Sequence, residues 1–155
     1  MAWIKDVGKP FKGKTVRMAT ESTPPSKGIA ELVKSEFTPA TGIKVEIEVL
    51  PLEQVLQKLT LDVASGTSTY DLYYMDQSWM ASFSKDTIDP REIYESKKEL
   101  AFPAYDFDDF LKPLVDGISM YQGKMVGVPY DIPIFIQMYR KDIYEELGLK
   151  VANTM

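Results

Sequence analysis

Two residue types are missing from the sequence, and their absence narrows the chemistry before any motif is read. The 155 residues include no cysteine and no histidine. Without thiols the chain has neither disulfides nor a thiolate nucleophile. Without imidazole it lacks the commonest general base and the commonest metal ligand, so Ser-His-Asp and zinc chemistry are excluded. Positive charge is also scarce. Lys and Arg number 18 against 23 Asp and Glu, a formal net charge of −5, which is the wrong sign for a nucleic-acid face. No apolar run approaches the ~20 residues of a membrane span. The opening "MAWIKDVGKPFKGK" has no apolar signal-peptide core. It reads as a native cytosolic start, or as an initiator Met placed ahead of a mature exported chain. Phosphate signatures are absent too, with neither a P-loop nor a GxGxxG run. What is present is 45% hydrophobic and 26% charged residues, the balance of an ordinary globular domain long enough to bury a core.

The first half has a clear rhythm. "KTVRMA" (14–19) reads as a strand. In "SKGIAELVKSEF" (26–37), Ile29, Leu32, Val33 and Phe37 share one helical face. "TPATG" is expected to stop that helix at Pro39 and Gly42. Ile43, Val45, Ile47 and Val49 then alternate with Lys44, Glu46 and Glu48, the two-residue period of a strand. Pro51 opens a second helix, with Leu52, Val55, Leu56, Leu59 and Val63 as its buried stripe. Residues 71–75 form a third strand. A β-α-β-α-β order implies a mostly parallel sheet with helices on both faces, an α/β fold. The expected core sets Ile29, Leu32, Val33, Val55, Leu56 and Leu59 against Val16, Met18, Val45, Ile47, Leu72 and Tyr74.

The second half is less regular. One helical turn is expected around Arg91–Glu95, and two short helices in "DFDDFLKPLVDGISM", the second starting at Pro113. "YQGKMVGVPY" reads as a hairpin turning at Gln122-Gly123-Lys124. "IPIFIQMY" (132–139) reads as a strand and "RKDIYEELGL" as a closing helix.

Function enters at "TYDLYYMDQSWMASF" (69–83), where an apolar strand passes directly into Asp76, Gln77, Ser78 and Trp79. In an open parallel sheet the ligand crevice lies beyond the carboxyl ends of strands whose connections leave in opposite directions. If the second and third strands flank the first, the loops "TESTPPSK" and "MDQSW" meet there. Thr20, Glu21 and Ser22 then face Asp76, Gln77 and Ser78, with Trp79 as an apolar plate. Donors, acceptors and one aromatic surface suit a polyhydroxylated small molecule. A plainer reading has Asp76 or Ser78 capping a helix through 78–84, with Trp79 packed under a loop.

The run from Lys14 to Met155 resembles the first lobe of the family 1 extracytoplasmic solute-binding proteins, the sugar-type receptors of bacterial ABC importers. The likeness lies in "VRMATES", "FTPATGIKVEIEVLPLEQVLQKLTLDVASGTSTYDLYYMD", "MYQGKMVGVPYDIP" and "MYRKDIYEELGL", in that order and spacing. It implies a periplasmic-binding-protein fold of type II, here truncated before the second lobe. Residues 1–131 would be the N-terminal lobe, and residues 132–155 a crossover strand and helix belonging to the lobe that is missing. It also implies a non-enzymatic receptor for a small polar solute, a carbohydrate by analogy, delivered to an importer permease. The parent protein would be periplasmic or extracytoplasmic, although this chain lacks the family's signal sequence or lipobox. Ligand contact is carried onto Thr20, Glu21, Ser22, Asp76, Gln77, Ser78, Trp79, Tyr130 and Asp131, with no cofactor and no metal. Without a second sheet to receive it, the 132–149 segment is expected to pair with a second copy in a homodimer.

Two other readings stay open. Paired carboxylates such as Asp76 and Asp131 suit a glycoside-acting enzyme, and the chain also fits an isolated lobe without ligand function. Asp106, Asp108 and Asp109 suggest Ca²⁺, but they lack the glycine turn and distal Glu of an EF-hand, which favours helix capping. The tyrosines, Tyr74 and Tyr130 included, read as half-buried strand residues.

Overall fold

A computed structural model describes residues 2–131 and 136–152. After a short helix, α1 (Ala2–Gly8), the chain enters β1 (Thr15–Glu21). Along its whole length β1 pairs in parallel with β2 (Lys44–Leu50), from Thr15 opposite Lys44 to Glu21 opposite Leu50. On its other side it pairs in parallel with β3 (Leu72–Tyr73) through Met18 and Ala19. The sheet order is β2-β1-β3, the arrangement the crevice argument needs.

The connections carry α2 (Pro24–Leu32), a π-helical turn over Val33–Phe37, α3 (Thr38–Thr41) and α4 (Leu52–Ser65). From β1 to β2 the chain steps one way across the sheet, and from β2 to β3 it returns past β1 the other way. Right-handed crossovers in opposite directions put α2 and α4 on opposite faces. This is an α/β lobe with a parallel sheet and helices, as expected. The first helical run differs from expectation at its end. It passes through Pro39 and stops only at Gly42, whose φ of 72° is left-handed. The π turn just upstream already rebuilds the hydrogen-bond ladder where Pro39 lacks its N–H. The Gly42 N–H then closes the helix on Thr38 O at 2.8 Å.

The core is small. Ala19, Val55, Leu59, Met80, Phe83, Met125 and Val126 are buried. Of the expected core only Val55 and Leu59 are fully buried; most of the rest are half-buried, and two are exposed, Leu32 at 54% and Leu72 at 53%. Leu32 ends α2 where the wider π turn breaks the 3.6-residue period, and Leu72 stands on an edge strand with β1 on one side only. On α4 the inner position expected of Val63 goes to Asp62, which is buried while Val63 is 38% exposed.

Beyond β3 the chain makes α5 (Met80–Phe83), α6 (Pro90–Ser96) and α7 (Lys112–Ile118), with Pro113 in the first turn of α7. A hairpin of β4 (Met120–Tyr121) and β5 (Lys124–Met125) follows, its two-residue loop held by positive φ at Gln122 and Gly123. Asp89 fixes this hairpin to α6. It accepts the Arg91 N–H at 2.9 Å and the Met125 N–H at 3.0 Å, and pairs with the Arg91 guanidinium. Asp106 caps the turn at Phe107–Asp109 by accepting the Asp108 N–H at 2.8 Å, the capping role rather than a cation site.

The boundary expected after Asp131 falls beside residues 132–135, which lie outside the described residues. The strand expected over 132–139 is not formed in its described part, where residues 136–140 are irregular. Among the described residues no strand pairs with this segment, and Ile136, Met138 and Tyr139 stand exposed. The expected last helix forms as α8 (Lys141–Glu146). Among the described residues no helix is long and apolar enough to cross a membrane.

Candidate functional site

With β2 and β3 on opposite sides of β1, the crevice opens beyond the carboxyl ends of β1 and β3. The main chain pairs slightly further than the β3 ladder itself. Asp71 N–H donates to Arg17 O at 2.9 Å and Tyr74 N–H to Ala19 O at 2.8 Å. Tyr74 is therefore fixed at the strand's exit, beside the end of β1.

The entry to β3 is anchored by Asp62, in the last turn of α4. Its Oδ1 accepts the Thr69 N–H and the Thr67 hydroxyl, both at 2.8 Å. Its Oδ2 accepts the Tyr70 N–H at 3.0 Å and the Tyr73 hydroxyl at 2.8 Å. Burial opposes ionisation of Asp62, but the donors from Thr69, Tyr70 and Tyr73 overcome it and hold the carboxyl well below the usual carboxylate range. Tyr73 moves the other way, its phenol pushed up by burial and by the Asp62 carboxylate that accepts from it.

At the strand exit Tyr74 is half-buried, and its phenol is pushed up first by burial and then by the carboxylates of Asp131, Glu21 and Asp76. Three segments far apart in sequence thus place negative charge where it acts on one hydroxyl. The Tyr130 ring packs edge-on against Tyr74, centroids 6.0 Å apart. Its hydroxyl donates to Ser26 Oγ at 3.3 Å. Ser26 is fully buried at the start of α2, and its Oγ also lies 2.9 Å from Thr20 Oγ1 and 3.0 Å from Thr23 Oγ1. A cleft of about 720 Å³ adjoins this cluster, lined by Leu72 to Met75, Gln77 and Val126 to Asp131 among others.

Of the nine residues expected to touch a ligand, Gln77, Tyr130 and Asp131 line the cleft. Glu21 and Asp76 lie close enough to act on Tyr74. Thr20 is buried, its hydroxyl turned to Ser26 beneath the site. Ser22 and Ser78 are exposed, and Trp79 is half-buried away from the cleft lining. Asp76 does cap: its Oδ1 accepts the Ser78 N–H at 2.8 Å and the Ser78 hydroxyl, closing a turn over Gln77–Trp79. Tyr74 and Ser26 were missed. The apolar run made Tyr74 look like ordinary strand filling, and its place as the last residue before Met75-Asp76 was the available signal. Ser26, three residues after the cap Thr23, carried none. Among the described residues no group of three or more acidic side chains is placed to hold a metal ion.

Similar proteins share this architecture. A putative binding protein of Brucella abortus (strain 2308) is 32% identical over 122 residues, which is 77% of this chain and 28% of that protein. A probable amino-acid ABC transporter periplasmic-binding protein of Sinorhizobium fredii is 28% identical over 143 residues, 91% of this chain and 32% of that one. The crystal structure of an ABC transporter solute-binding protein from Agrobacterium radiobacter K84, in complex with ribitol, superposes with a TM-score of 0.70 at 26% identity. That match covers 94% of this chain and 36% of the neighbour, so the chain spans about a third of the length of the proteins it resembles. The pattern of the bacterial extracellular solute-binding proteins matches residues 19–154, from the crevice end of β1 through α8, and the chain belongs to that family.

Proposed function

We propose that this chain supplies one wall of a binding site for a small polyhydroxylated solute, in a receptor that serves an ABC importer outside the cytoplasmic membrane and does no chemistry on its ligand. The observation that carries this reading is the cleft lining at the strand exit, which joins Asp131 and Gln77 to the Tyr74 and Tyr130 rings, 6.0 Å apart, with the charge of Glu21 and Asp76 felt at Tyr74. Carboxylates accept hydroxyl protons in pairs, and aromatic rings cover the C–H faces of a polyol. The ribitol bound by the Agrobacterium protein is of this chemical class. The glycosidase alternative is weaker, because Asp76 spends its Oδ1 on the cap of its own turn.

The test is a backbone-amide NMR titration of the chain with ribitol and with D-mannitol. Shifts are expected at residues 21–22, 74–79 and 130–131, and they should diminish in Asp131→Ala. No shift at the solubility limit of both polyols, or shifts confined to residues remote from these segments, would refute the reading.

A further inference from the structure

The cleft is one-signed. Among its described lining residues are Asp62, Asp71, Asp86 and Asp131, and there is no Lys or Arg. Glu21 and Asp76 stand outside that lining, but their negative charge is felt at Tyr74, which belongs to it. Three cations close by in the chain are engaged elsewhere. Lys124 Nζ is held by the carbonyls of Ser84 and Thr87, Arg91 by Asp89, and Arg17 by Glu46. No Lys or Arg among the described lining residues therefore meets an incoming anion.

We infer that this site selects its solute by charge, admitting neutral polyols and their amino derivatives and rejecting aldonates, uronates and phosphorylated sugars. The inference rests on the polyol reading above and refines it. An anionic group placed among these carboxylates has no donor cation to replace its water and meets several like charges in a partly dehydrated cleft. An ammonium group in the same place gains what the anion loses, and two tyrosine rings add a surface that favours a cation. Neutral hydroxyls need only acceptors, which the carboxylates supply.

Three molecules with one carbon frame separate the cases: D-glucitol, D-gluconate and 1-amino-1-deoxy-D-glucitol, each titrated into the chain by NMR at about 20 mM and about 500 mM salt. Gluconate is expected to bind at least about tenfold more weakly than glucitol (~1.4 kcal/mol), and the amino-polyol at least as tightly as glucitol. High salt should narrow both gaps. Asp131→Asn, checked for folding by circular dichroism, should narrow the gluconate gap again. Glucitol and gluconate binding equally, or gluconate binding better, would overturn the charge filter while leaving the polyol site standing. Binding of none of the three would overturn the polyol reading and the filter together.

Discussion

Asp62 is the side chain on which the position of β3 depends, so its replacement should be felt well beyond its own helix. It accepts four hydrogen bonds, from Thr67, Thr69, Tyr70 and Tyr73, and is 8% exposed. Thr67 and Thr69 are exposed and can turn to water, whereas Tyr70 and Tyr73 are half-buried. Counting about 1 kcal/mol for each half-buried donor and about half that for each exposed one, Asp62→Ala should cost roughly 3 kcal/mol. Asp62→Asn keeps the shape but turns an NH₂ toward two of the donors, so it should cost nearly as much. Urea unfolding reads both values, and amide exchange at Thr69 and Tyr70 locates the loss. The pH dependence adds an independent check. The folded carboxyl lies below its unfolded value of about 3.8, so its contribution is present above pH 4 and fades as pH falls further. Both variants should flatten the acid limb. Asp62→Asn within about 0.5 kcal/mol of the parent would show that the charge is dispensable and would refute the argument.

Asp89 should show the same linkage in a window that can be reached. Its carboxyl is held at about 2, first by the hydrogen bond from Arg91, against an ordinary 3.8. Stability on the order of 2 kcal/mol is therefore present above pH 4 and lost between about pH 4 and 2. Asp89→Asn should lose it at neutral pH and flatten that limb in acid urea titrations, and an unchanged limb would count against the anchor. Leu59→Ala should cost about 3 kcal/mol because Leu59 is 5% exposed, while Leu61→Ala, 68% exposed, should lie within about 0.5 kcal/mol of the parent. Equal costs by chemical denaturation would mean that the helix faces are misassigned.

The sheet was legible because its signals are local. Alternation at Ile43–Val49 marks β2, and two helical connections imply parallel strands, whereas the place of β1 between its neighbours enters the sequence reading only as a condition and comes from the structure. The misplaced details are those where a residue's environment is set by something distant. Leu32 carries the right period for a core position, yet the π turn that follows it depends on Pro39 and rotates the face away. Val63 lost its inner place to Asp62 because three donors in the next loop and the Tyr73 hydroxyl of β3 make a buried carboxylate favourable there, and no hydrophobic count reveals donors that arrive from a turn.

The site divides along the same line. Glu21, Asp76 and Asp131 were identifiable as polar residues at strand and hinge ends, but their common target was not. Tyr74 is the residue they share, and it stands inside an apolar run where every neighbour argues for packing. What sets it apart from packing is the company brought by the chain's folding back: Tyr130 lies edge-on to it at 6.0 Å, and is itself tied through its hydroxyl to Ser26, 104 residues earlier. Ser26 in turn holds Thr20, so one buried hydroxyl binds the end of β1 to the segment after β5. Buried hydroxyl networks of this kind specify a single arrangement because any member left without its partner costs the desolvation of the rest. The expected ligand residue Thr20 therefore serves one layer down: its buried hydroxyl is spent on Ser26, holding the end of β1 to the start of α2.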